Sequence, residues 1–139
     1  MRVVIDTNMI FSLLLGKNAR MRDTFFDPAH TFFAPNYIIG ELFEKKEKIM
    51  KCSALSEAEL YELLHRVLSR IAFVAEEFVA LEHRLQAFKL CQGVDEDDTP
   101  FIALALQLNA LVWTGDRRLK EYLQQEGFSL FFESRRQDV

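Results

Sequence analysis

Cysteine is scarce in this 139-residue chain. There are two, Cys52 and Cys91, and they form no Cys-x-x-Cys pair. Their scarcity argues against a disulfide scaffold, a zinc knuckle and a dithiol redox motif, and it fits a reducing compartment. Histidine is equally thin. His30, His65 and His83 are isolated and match no metal-binding or general-base spacing. Positive charge is in deficit: 17 Lys and Arg stand against 21 Asp and Glu, a net charge of −4. The global basic footprint of a nucleic-acid binder is therefore missing, and a polyanionic substrate would need a local basic patch or a bound cation. No apolar run reaches the ~18 residues of a membrane helix. The opening "MRVVIDTNMIFSLLLG" is short, is interrupted by Asp6 and Asn8, and lacks a small-residue cleavage site. The expectation is a soluble, cytoplasmic protein with no membrane association. Internal repeats, linkers and low-complexity tracts are also lacking, so the chain reads as one domain over 1–139 with a frayed polar tail at 134–139.

What is present is apolar material in alternating periods. Half of the residues are hydrophobic and 13 are Phe, enough for one well-packed core. "RVVID" (2–6) is a β-branched run ending in a carboxylate, the pattern of a buried parallel strand. "TNMIFSLLL" follows at helical spacing, with Thr7 and Asn8 as candidate caps. "TFFAP" (31–35) is a second strand. Residues 36–50 read as a helix capped by Asn36. Ser56 and Glu59 form a capping box for a helix carrying Leu60, Leu63, Leu64, Val67 and Leu68. "IAFVA" (71–75) is a third strand. The next helix runs to about Cys91, with Phe78, Leu81, Leu85 and Phe88 on one face. Gly93 breaks the chain, and Asp98-Thr99-Pro100 starts a helix that is apolar nearly all round and ends at Asn109. "LVWT" (111–114) is a fourth strand, Gly115 turns the chain, and Asp116 opens another helix. "FSLFF" (128–132) reads as a last strand. Strands alternating with helices imply a three-layer α/β/α sandwich around a parallel sheet of four or five strands.

Acids punctuate this pattern. In parallel α/β sheets ligands bind beyond the carboxyl ends of the strands, where strand order reverses. Asp6 ends the first strand and Asp116 follows the fourth, so the two face one crevice if those strands are neighbours. "DEDD" places Asp95, Glu96, Asp97 and Asp98 directly before the oily helix. Acids favour helix N-termini by typically ~0.3–1 kcal/mol each, which accounts for one or two of the four. Glu41 has apolar neighbours on both sides in its helix, unlike Glu44 and Glu47 among the lysines. Carboxylates brought together repel, and some take up protons. A hard divalent cation with oxygen ligands removes that conflict and makes a phosphodiester acceptable in an acidic crevice.

In order and context, "VVIDTNMI", the Glu41 of "IIGELFE", "DEDDTPFIALAL" and "LVWTGDRRL" resemble the PIN-domain family over essentially the whole chain. The resemblance implies a Mg²⁺- or Mn²⁺-dependent nuclease, in most members a ribonuclease. Asp6, Glu41, Asp98 and Asp116 would be its acids, binding one or two ions. Asp95 and Asp97 stand beside Asp98 and could share or replace its role. Asn8 and Thr114 look like the polar residues that hold the acids in place. Small single-domain members include toxins of toxin–antitoxin pairs, so a small antitoxin and a homodimer are expected partners beside RNA.

Arg117, Arg118 and Lys120 follow Asp116 and are candidates for holding RNA phosphates. Lys17, Arg20 and Arg22, read as a loop after the first helix, form a weaker patch. Two rivals remain. One is a catalytically idle PIN-like module that only binds nucleic acid or a protein. The other is a phosphatase or phosphotransfer domain. A haloacid-dehalogenase-type site wants a second Asp two residues after the first, and Asn8 occupies that place.

Overall fold

The computed structural model describes residues 1–133. The expected frayed tail, 134–139, lies outside the described residues. β1 (Arg2–Ile5), β2 (Thr31–Pro35), β3 (Ile71–Val74) and β4 (Leu111–Trp113) form one sheet in the order β3-β2-β1-β4, and every pairing is parallel. Val3, Val4 and Ile5 are wholly buried, as a β-branched strand covered on both faces requires. Helices α1 (Thr7–Leu14), α3 (Ile38–Glu44) and α5 (Glu57–Arg70) pack together. Helices α6 (Leu81–Cys91) and α7 (Thr99–Leu108) form another closely packed pair, with α7 lying on β1 and β2. The result is the three-layer sandwich expected.

Local chemistry explains most of the boundaries. Ser56 and Glu59 form the reciprocal capping box that opens α5. Pro100 sits in the first turn of α7. Phe101, Ile102, Ala103, Leu104 and Ala105 of that helix are buried in succession, so it is apolar all round because it is enclosed. Asn109 ends it in the left-handed region, at φ 50°, a conformation Asn tolerates better than most residues. A Cβ on Gly93 would collide with the Tyr122 hydroxyl of α8 (Arg117–Gln125). The break before the acidic run is thus held against a neighbouring helix.

Several expectations are corrected. Residues 18–25 are not all loop: Asn18 accepts from the Met21 amide and starts α2 (Ala19–Phe25), so Arg20 and Arg22 are helical. The helix read over 36–50 is two, α3 and α4 (Lys46–Cys52), divided at Lys45. Its first cap position is Tyr37, with no side-chain bond; Asn36 instead continues the sheet edge, its amide donating to the Val74 carbonyl of β3. The cap of α1 is Asp6, accepting from the Met9 amide, not Thr7 or Asn8. Residues 128–132 make only an isolated parallel bridge between Val112 and Phe131. There the Phe131 amide turns back to the Ser129 carbonyl and bends the segment out of extended pairing. Phe78, Leu81, Leu85 and Phe88 do share a side, but it is the solvent side; Ala87 and Cys91 make the buried face of α6. No helix among the described residues is long and apolar enough to cross a membrane.

Candidate active site

The chain runs from β1 outward to β3 and then returns to place β4 on the other side of β1. That reversal is the switch point at which such sheets bind ligands. Ile5 pairs with Trp113, so Asp6 and Thr114 leave the sheet side by side. Asp6 is 6% exposed and is the one buried charged side chain among the described residues. Burial pushes its carboxyl above the ordinary range; hydrogen bonds from Thr114 and the Met9 amide oppose this, and the charge of Asp116 adds to it. The Thr114 hydroxyl also accepts from the Asp116 amide at 3.1 Å. One threonine therefore ties the acid after β1 to the acid after β4. Asp116 itself caps α8 through the Leu119 amide at 3.0 Å.

Opposite Asp6, an open crevice of about 690 Å³ is lined by Glu41, Asp95, Glu96, Asp97 and Asp98, with Asn8 and Tyr37 on its walls. Glu41 comes from the first turn of α3. Burial raises its carboxyl, Lys45 opposes that, and Glu44 and Asp97 add to it. The DEDD run splits by role. Asp95 caps a short 3-10 turn, Glu96–Asp98, by accepting from the Asp97 amide at 3.0 Å. Asp98 occupies the cap position of α7 but makes no side-chain cap bond. Its carboxyl, half-buried, is pushed up to about 7, first by desolvation and then by the charges of Asp95, Asp6, Asp116 and Asp97. Helix capping therefore accounts for Asp95 and leaves Asp98 unexplained.

Asp6, Glu41, Asp95, Asp97 and Asp98 thus come to one crevice. Asp116 is exposed and does not line it, yet it lies close enough to raise both Asp6 and Asp98. Arg117 and Lys120 border a separate shallow hollow with Thr114. Lys120 is paired with Glu133 and lies over the Phe131 ring, and Arg118 is exposed. The lining cation of the crevice is Lys45. Tyr37 is absent from the sequence reading. Its hydroxyl is raised by burial and by Glu41, Asp98, Asp97 and Asp6, and its ring stands edge-on to Phe101 at 5.9 Å. The signal that could have marked it is its position immediately before α3, two residues past the end of β2.

Hard cations take carboxylate oxygens, and the donor set here is oxygen throughout. The raised Asp98 and the buried Asp6 show a local excess of negative charge that the chain does not neutralise: the ion pairs among the described residues are His30–Asp27 and Lys120–Glu133, both elsewhere. Among the described residues no three acidic, imidazole or thiol groups are already gathered around one point. The acids therefore fit a divalent ion in charge and chemistry without forming a closed cage, as groups that repel one another do.

A parallel α/β sandwich with acids at its switch point places the chain among ligand-binding α/β folds, and the family match below gives it a nuclease-type fold. The family model of the PIN domain matches residues 4–125, and the chain belongs to the PIN-domain family. No curated protein matches the chain.

Proposed function

We propose that this protein is a metal-dependent ribonuclease, in which Asp6, Glu41, Asp98 and Asp116 hold one or two Mg²⁺ or Mn²⁺ ions. The supporting observation is the convergence of Asp6, Glu41 and Asp98 on one crevice, where desolvation and then neighbouring carboxylates lift Asp98 to about 7. A divalent ion bound there supplies water of lowered pKa and offsets charge on the phosphate. The chain's own groups do the rest. Thr114 and the Met9 amide fix the orientation of Asp6. Asn8, exposed on the crevice wall, faces the approaching substrate. Asp95 and Asp97 keep the local potential negative beside Asp98. Arg117 and Arg118 hold flanking phosphates, and Lys120 joins them where its pairing with Glu133 opens. Water attacks phosphorus in line, a carboxylate of the set takes its proton, and the 3′-oxygen leaves, giving a 5′-phosphate end.

The same reading makes the protein the toxin of a toxin–antitoxin pair. α3 offers a face for such a partner: turned away from Glu41, Ile39 and Phe43 (71% exposed) line a separate apolar cavity of about 250 Å³. A small antitoxin would cover Ile39 and Phe43 on that face and reach around α3 to the acids. A homodimer is expected through α6, whose Leu81, Leu85 and Phe88 recur at i, i+4 and i+7 on an exposed face.

The test is Asp6→Asn. Asn also caps helices, so the α1 start is preserved. Metal-dependent cleavage of RNA should fall by about a thousandfold, the scale of removing a principal electrostatic contributor, with unchanged circular dichroism. Undiminished cleavage by this variant refutes the assignment.

A further inference from the structure

Helix α6 lies at the outside of the fold. Its principal packing partners are α7 and the short turn at Glu96–Asp98, and its buried residues are Ala87 and Cys91. The solvent side carries Leu81 (61% exposed), Leu85 (53%) and Phe88 (43%). Spaced four and then three residues apart, they form one stripe about two turns long. Large apolar side chains left in water at helical period mark a contact surface.

Two charges border that stripe. Glu82 and Lys89 are seven residues apart, so they stand on the same flank, one near each end. Both are exposed, and neither is in an ion pair among the described residues. Opposite charges at opposite ends of one edge are self-complementary under a two-fold rotation.

We propose that α6 docks on α6 of a second copy, antiparallel, about a two-fold axis that passes by Leu85. Leu85 then meets its own copy, Leu81 falls beside Phe88 of the other chain, and Glu82 falls beside Lys89 of the other chain, each twice by symmetry. A single register satisfies all three pairings. Parallel helices in register would set Glu82 against Glu82 and Lys89 against Lys89, which repel. Parallel helices slipped by seven residues would join opposite charges but cover half the stripe and leave its ends open to further copies. The charge pattern therefore selects the closed, antiparallel pair. Its direction and register follow from α6 alone and are independent of the nuclease reading, since no α6 residue lines the acidic crevice. A contact of two helical turns on each side is small beside the ~800 Å² per partner of a standard interface, so the dimer dissociates at roughly 1–100 µM.

Sedimentation equilibrium of the whole chain, from about 1 to 300 µM, reads the dimer directly. Leu85→Glu sets two like charges together on the axis and should weaken it about a hundredfold. Glu82→Lys and Lys89→Glu should each weaken it about tenfold. Combining these two substitutions exchanges the ends of the charge pattern, and should return the Kd to within about threefold of the parent. All three positions are exposed, so the melting temperature should stay unchanged and separate lost docking from lost folding. A chain that is monomeric throughout the range overturns the proposal and leaves the face to a different partner. A dimer that survives Leu85→Glu also overturns it, by placing the contact elsewhere. A dimer that ignores both single charge reversals, or that the double variant fails to restore, overturns the antiparallel register. Dimers that obey the charge pattern but cut no RNA leave the docking standing and the nuclease reading fallen.

Discussion

The two ends of the same four strands are built on opposite terms. At the amino end the charged groups meet partners, although Arg70 Nε and His30 Nδ1 are left without one. The Met1 ammonium donates to the Ala29 carbonyl at 2.7 Å, and the Thr31 amide to the Met1 carbonyl at 2.9 Å. Arg70 Nη2 reaches the carbonyls of Phe25, Asp27 and His30 at 2.9, 2.9 and 3.2 Å, while its guanidinium stands by the Phe25 and Phe32 rings. At the carboxyl end, Asp6 is buried without a cation, and Asp98 is pushed up to about 7, first by desolvation and then by its neighbours' charges. A fold that pairs its charges at one edge and leaves carboxylates in electrostatic conflict at the other marks the second edge as the functional one.

This contrast is open to attack from either side. The largest effect on stability should come from the matched end. Arg70→Ala strands three carbonyls and removes the packing on two aromatic rings, and should cost about 3 kcal/mol by urea unfolding. Cleavage per folded molecule should be retained. A loss under about 0.5 kcal/mol would remove the structural half of the comparison.

Asp98→Asn should do the reverse. The folded-state carboxyl lies at about 7 against an ordinary 3.8, so the folded protein binds the proton more tightly than the unfolded chain does. That contribution is fully present below about pH 4 and lost as pH rises through 7. The metal-free protein should therefore melt at a lower temperature at pH 8 than at pH 5. Asp98→Asn should flatten this slope and stabilise the metal-free protein at pH 8 on the order of 1 kcal/mol, while abolishing cleavage. A melting temperature that falls in the variant at pH 8 would contradict the charge-conflict argument.

Thr114→Val keeps the shape but removes the hydroxyl shared by Asp6 and the Asp116 amide. It should lower kcat about tenfold, with about 1 kcal/mol of stability lost. The smallest effect is expected at the basic flank. Arg117→Ala with Arg118→Ala should raise KM a few-fold, and the salt dependence of binding should become shallower by about one to two ions.

Much of this contrast was readable beforehand, because strong periods and chemistry coincided. β1, β4 and α7 are short or enclosed elements whose runs leave little choice, and Asp6, Asp116 and Asp98 lie next to them, while Glu41 sits within α3. What could not be read depends on three-dimensional neighbours. α2 is only seven residues with three charges, so periodicity is silent there. The break at Lys45 involves neither Gly nor Pro. Residues 128–132 are apolar and aromatic like a buried strand, yet a local turn at Ser129 confines them to one bridge. The division of labour within DEDD follows from which carboxylate a backbone amide claims: Asp95 is taken and Asp98 is left. Tyr37 enters the site through the fold alone, carried there by the turn after β2.

The most direct test of the central claim is a crystal structure of the protein soaked in Mn²⁺, with anomalous diffraction measured at the manganese edge. The account predicts one or two peaks inside the crevice, with Asp6, Glu41 and Asp98 drawn in as ligands and Asp116 within reach. Crystals that bind no manganese there, with the acids still apart on the crevice walls, would contradict it.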